Sequence, residues 1–252
     1  MNELLTRCEK RFRFSKRELF QLIITVLVAA FVLSFRNWGV GEEFSFDEGL
    51  TNLLLTAIIV FIFLIIHFSV QKIVALKMGY KSEYRYWING FLISLIVVFL
   101  TEGHFPLFFT GSLWHEVIPK LRVGVFRGGA KHKDIGIIAF SGPLINILLV
   151  GLLAPIYLAT ESSFLHSIIF VNLLIAIFSL LPLPTFEKLR QFKGGTTGLY
   201  LFIASRWVFV LVFVTTLAYT VLILLANVFS YIIALAIGII TTVVYYFVYE
   251  SK

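Results

Sequence analysis

The chain has 252 residues, 59% of them hydrophobic and 14% charged, with a formal net charge of +7 and a mean hydropathy of +0.95. A soluble domain lies nearer half apolar and a quarter charged, so these values exclude an ordinary soluble globular protein. The apolar runs are continuous and do not alternate, which argues against a transmembrane barrel, and the single cysteine, Cys8, excludes an intrachain disulfide. Basic residues flank the apolar runs and phenylalanines sit within them, a pattern of membrane topology and not of nucleic-acid binding. The expected fold class is an all-α polytopic membrane protein with about six transmembrane helices, one re-entrant hairpin and a short interfacial β-strand.

In chain order, a basic amphipathic segment carrying Arg7, Lys10, Arg11, Arg13, Lys16 and Arg17 reads as an inside anchor. No cleavable signal peptide is expected before the first span at 19–35. An acidic loop with Glu42, Glu43, Asp47 and Glu48 follows, and residues 50–74 return as a long helix. Lys72, Lys77, Lys81 and Arg85 then mark the inner side again. Residues 87–100 are too short for a comfortable span and lead into Gly103 and Pro106, which break helices. Because basic residues follow from Lys120 to Lys133, this piece is expected to enter and leave on the same side. Residues 121–126 alternate enough for a short interfacial strand.

Further spans are expected at 134–158, 164–183, 199–226 and 228–248, with Arg206 starting the third of these proper at the inner interface. The organisation reads as 1–49 (basic N-terminus, first span and outer loop), 50–206 (membrane core with the hairpin) and 207–252 (C-terminal helix pair). Both termini are expected in the cytoplasm, with the plasma membrane of a prokaryote as the location. No internal repeat supports an inverted-repeat transporter. The Gly-Gly-Thr-Thr-Gly loop at 194–198 lacks a Walker lysine and is not a phosphate cradle.

The centre of this plan is His67, set inside membrane-grade sequence where an ionisable side chain needs a purpose. A zinc-protease helix reads H-E-x-x-H, with two ligands one turn apart and a general base beside the first. Here His67 is kept, Phe68 takes the glutamate position and Gln71 the second histidine position. His67 and Gln71 share a helix face, four residues apart. Phenylalanine cannot accept a proton, and a glutamine amide is a poor zinc ligand beside cysteine, histidine or carboxylate.

Three stretches in order resemble the site-2 protease family of intramembrane zinc metalloproteases. They are His67 to Gln71 followed by the polar Tyr80 to Trp87, then Gly142-Pro143-Leu144-Ile145-Asn146, then Ser179 to Lys188 with Pro182, Pro184 and Glu187 in place of N-x-x-P-x-P-x-x-D-G. The similarity covers roughly residues 50–206 and is nearest to archaeal members, which also have a hydrophobic hairpin after the first motif. The resemblance implies ligand positions at His67, Gln71 and Glu187, a base position at Phe68, and a client-helix or packing role for Gly142, Pro143, Asn146, Pro182 and Pro184. No catalytic residue, no metal and no cofactor are expected.

A transmembrane client or partner subunit, and the lipid bilayer, are the expected partners, and nucleic acid is not. A divergent active metalloendopeptidase using zinc is the alternative, and a transporter or channel a further one. His67 is otherwise read as a neutral core imidazole bonded to Gln71, Glu187 or a backbone carbonyl. His104, His132, His166 and the His115-Glu116 pair are read as solvated, with no second metal site among them.

Overall fold

A computed structural model describes residues 2–39, 44–118, 131–188, 191–224 and 230–250; at 2–4, 185–188, 191–194 and 224 it describes the backbone alone. Among the described residues the regular structure is helical except for two small antiparallel strand pairs. Helix α1 (Asn2–Arg11) is short and amphipathic, and α2 (Lys16–Ser34) follows after a four-residue linker. Ser15 and Glu18 start α2 with a reciprocal capping box, Ser15 Oγ accepting from the Glu18 N–H and the Glu18 carboxylate accepting from the Ser15 N–H.

Helix α3 (Phe46–Met78) opens on Ser45 and acidic Asp47 and Glu48, and stops at Gly79 in the left-handed region (φ 89°). At 1.5 Å per residue its 33 residues measure about 50 Å, well beyond a hydrocarbon core of about 30 Å. Its last turns therefore leave the hydrocarbon and carry the chain directly into β1 (Tyr80–Arg85).

Strand β1 pairs antiparallel with β2 (Ser112–Val117), Tyr80 facing Val117 and Arg85 facing Ser112. Between them lie α4 (Ile88–Leu100), a turn through Glu102 and Gly103, and a buried return containing Phe108, Phe109 and Thr110. Strand pairing at its base makes this segment enter and leave on one side, as the charge pattern implied. It reaches further than its length suggested. Phe99 stacks edge-on against Phe35 at 5.1 Å, at the far end of α2, while Tyr84 at the hairpin base donates its N–H to Glu18 at the near end.

Helices α5 (His132–Thr160) and α6 (Ser163–Ser179) form an antiparallel pair, followed by β3 (Pro184–Lys188), β4 (Gln191–Gly195), α7 (Thr197–Ala204), α8 (Arg206–Leu224) and α9 (Ser230–Tyr245), which runs on into a π-helical turn at Tyr246–Glu250. Among the described residues five helices are long and apolar enough to cross a bilayer: α2, α3, α5, α8 and α9. Five of the six expected spans correspond to these helices; the sixth, at 164–183, is α6, a shorter apolar helix whose 17 residues end at Ser179 because Pro182 and Pro184 follow. The expected span at 199–226 is broken at Ser205, an extended residue between α7 and α8, so the spanning helix begins at Arg206. The strand expected at 121–126 lies outside the described residues; β1 and β2 stand elsewhere in the sequence.

One apolar core joins α2, α3, α6 and the hairpin, through residues such as Leu22, Leu64, Phe68, Phe108 and Ile175. A second joins α5, α6, α8 and α9 through Val150, Leu173, Tyr219 and Ala234. Helix α6 belongs to both, so the junction of α3, α5 and α6 is the inner seam of the fold.

Candidate functional site

His67, Gln71, Gly142, Asn146 and Asn172 meet at this seam, and all four polar side chains among them are buried. The contact of α3 with α5 depends on the missing side chain at Gly142. A Cβ there would collide with His67 Nε2 and Gln71 Nε2, so only glycine lets the helices approach this closely.

Gln71 has a defined task. Its Nε2 donates to the carbonyl oxygen of Ala139 at 3.1 Å. In a regular helix that carbonyl would accept from the N–H of residue 143, but Pro143 has none. The Gln71 amide thus satisfies the carbonyl that the proline leaves open. Ser141 Oγ similarly returns to the Ile138 carbonyl at 2.7 Å.

The imidazole of His67 is fully buried, and neither ring nitrogen has a hydrogen-bond partner among the described residues. Of the expected partners, Gln71 and the described backbone carbonyls do not pair it, and the Glu187 side chain lies outside the described residues. Asn146 lies beside the ring, yet both its amide atoms also lack partners among the described residues. Asn172 on α6 donates to the Asn146 carbonyl at 3.0 Å and leaves its own Oδ1 open. Asn172 escaped the sequence reading; an asparagine within the run at 164–183 was the available signal, since buried amides in spans serve helix contacts or ligands. Each unpaired buried group costs about 1–3 kcal/mol, so a seam lined by several is poised to receive hydrogen bonds.

Phe68 is wholly buried, its ring 4.9 Å from the His67 ring and 4.6 Å from that of Tyr84. Tyr84 is fixed in turn: its hydroxyl bonds Thr25 at 2.6 Å and donates to the Thr110 carbonyl at 2.8 Å. The aromatic pair thereby ties α3 to α2 and to both arms of the hairpin base.

Pro182 and Pro184 lie half-buried in the turn after α6. Thr196 clasps that turn: its hydroxyl donates to the Leu181 carbonyl and accepts from the Leu183 N–H at 3.0 Å, and its own N–H donates to the Leu183 carbonyl. Ser179, at the asparagine position of the third motif, spends its hydroxyl on the Ala176 carbonyl. Glu187 falls in β3, and its side chain lies outside the described residues.

The donors that the resemblance would assign to zinc were therefore one imidazole, one amide and a carboxylate outside the described side chains. Among the described residues, no three His, Cys, Asp or Glu side chains gather closely enough to hold a metal ion. With the Gln71 amide engaged by Ala139 and neutral in any case, the described donor set does not fit a zinc centre.

The remaining histidines are dispersed. His104 is exposed at the hairpin tip, His132 opens α5, and His166 stacks near Tyr157 and Phe170. His115 corrects the solvated-loop reading: it lies on β2, half-buried, with Nδ1 bonded to Ser82 Oγ at 2.7 Å. Burial lowers its pKa to about 4. Its neighbour Glu116 is exposed as expected.

Fold and site together define a multi-pass helical membrane protein with a polar seam between three helices. The chain is similar to a protein of Methanocaldococcus jannaschii that bears the name "Putative zinc metalloprotease", at 29% identity over 187 residues, 72% of this chain and 86% of that relative. No family model matches the chain, and no solved structure matches it.

Proposed function

We propose that this chain is a proteolytically inactive, site-2 protease-like membrane protein that holds a transmembrane segment of a client or partner subunit. The observation that carries this reading is the use of the two altered motif positions for structure: Gln71 satisfies the Ala139 carbonyl and Phe68 packs into the Tyr84 cluster. Side chains committed to packing and capping are not free to bind zinc or take a proton. The buried hydrogen-bonding groups of His67, Asn146 and Asn172 support a holding role, because on parting of the seam they would pair with backbone groups of a locally unwound helix. Recognition of that kind needs a seam and a hairpin wall, and no metal. In this reading both termini face the cytoplasm of a prokaryotic cell.

The metalloprotease name of the relative favours one other reading, a divergent zinc metalloendopeptidase using His67, Gln71 and Glu187. Gentle purification from native membranes separates the two. The holding role predicts co-purifying membrane protein that is reduced by Asn146→Ala, sub-stoichiometric zinc and no chelator-sensitive cleavage of a transmembrane substrate. Stoichiometric zinc together with cleavage abolished by His67→Ala would replace it with the enzyme.

A further inference from the structure

A concave site lies where the α1–α2 linker faces β1. It encloses about 780 Å³ and is lined by Lys10, Arg11, Arg13 and Lys81 with the carboxylates of Glu18 and Glu83. Both carboxylates are already engaged. Glu18 is buried and takes an ion pair from Lys72 at 2.5 Å, besides N–H donors from Ser15 and Tyr84. Glu83 pairs with Lys81 at 2.8 Å. The side chains of Lys10, Arg11 and Arg13 are exposed and have no carboxylate partner among the described residues.

The backbone that carries Arg13 is also held in position. Lys72 Nζ donates to the Arg13 carbonyl at 3.2 Å and sits 4.1 Å over the Phe14 ring, and the next residue begins the capping box of α2. The linker backbone is thus fixed by a buried lysine, which lowers the ordering cost of a ligand at its side chains. A turn further along the chain, Leu19, Phe20 and Ile23 at the start of α2 are exposed and apolar. Anion-binding groups over a lipid-facing surface match a molecule with a phosphate head and an acyl tail.

We infer that this pocket binds the phosphate of an anionic membrane lipid. Lys10, Arg11 and Arg13 supply the charge, and arginine suits phosphate through its planar, forked donors. The pair Lys81–Glu83 borders the site on the β1 side and leaves its net charge positive. A bound lipid would tie α1 and its linker to the hairpin base, and through Lys72 to the end of α3.

The test uses the full chain in a neutral detergent, titrated with dihexanoyl phosphatidylglycerol while thermal unfolding is followed. Phosphatidylglycerol is expected to raise the midpoint and dihexanoyl phosphatidylcholine to leave it unchanged. Arg11→Gln/Arg13→Gln is expected to weaken the apparent affinity roughly thirtyfold, and Lys10→Gln, the milder variant, by less. Lys16→Gln/Arg17→Gln removes equal charge beside the pocket and is expected to keep the response. An equal rise with phosphatidylcholine, an equal rise with inorganic phosphate alone, or equal losses in the two double variants would each overturn the inference, pointing in turn to detergent-like solvation, a soluble-anion site or diffuse surface charge.

Discussion

The amide of Gln71 and the carbonyl of Ala139 form a 3.1 Å hydrogen bond between α3 and α5, and the acceptor is the carbonyl that Pro143 leaves without its helical donor. Two motif positions separated by 72 residues of sequence are therefore one structural unit. Gln71 has been given work by a residue on another helix, Pro143.

The unit makes a double-mutant prediction. Gln71→Leu keeps the volume but strands a buried carbonyl, and is expected to destabilise the protein by about 1–2 kcal/mol. In a Pro143→Ala background the alanine N–H takes up the Ala139 carbonyl, and Gln71→Leu is then expected to cost much less. Unfolding midpoints of the four proteins in detergent supply the cycle. Equal costs in the two backgrounds would mean that the proline and the glutamine are independent.

Gly142→Ala addresses the same seam from the other side. The added methyl meets His67 Nε2 and Gln71 Nε2, at the end of side chains held in a closed interior. Overpacking of this kind costs about 1–3 kcal/mol. Trimming the ring with His67→Ala should recover part of that loss in the double variant, measured by the same unfolding assay. No recovery would place the strain against the α3 backbone instead.

The spans and the motif order were legible because both are local: run length, Gly and Pro breaks, and residues one turn apart on a helix carry them. Gln71 and Gly142 could be placed at one seam by motif resemblance, yet the task of Gln71 could not, because it depends on a hydrogen bond between helices. The β1–β2 pairing joins residues across the hairpin; β1 alternates Tyr80, Ser82 and Tyr84 inward with Lys81, Glu83 and Arg85 outward, but β2 does not alternate, so the pairing was not announced from both sides. Lys72 read only as a marker of the inner side and Glu18 closed the basic N-terminal stretch; only the fold brings them together over 54 positions. Asn172 was hidden in an apolar run whose length alone explained it.

That buried pair yields the next prediction. Lys72 and Glu18 are each only about a twentieth exposed as side chains, and Glu18 also accepts from the Tyr84 N–H. Lys72→Met would leave a carboxylate buried without its counter-charge, with an expected loss of about 3–5 kcal/mol. Glu18→Gln in addition removes that charge and should restore a substantial part, because neutral partners avoid the desolvation penalty. Circular dichroism on heating would follow both variants; equal losses in the single and the double would show that Lys72 contributes through Phe14 and Arg13 instead.

His115 gives the fold a defined acid response. Burial on β2 lowers its pKa from the ordinary value of 6.5 to about 4, so the folded protein favours the neutral ring. In the unfolded chain the ring takes a proton as pH falls through about 6.5, whereas the folded chain resists until about 4. The contribution is therefore complete above the unfolded value and is lost as pH falls through this window. After allowance for its partial exposure, the loss at pH 5 is on the order of 1 kcal/mol. His115→Asn removes the titrating ring while keeping a hydrogen-bonding group opposite Ser82. Comparison of unfolding midpoints at pH 7 and pH 5 should show a smaller drop in the variant than in the native chain; an equal or larger drop would assign the acid sensitivity to other groups.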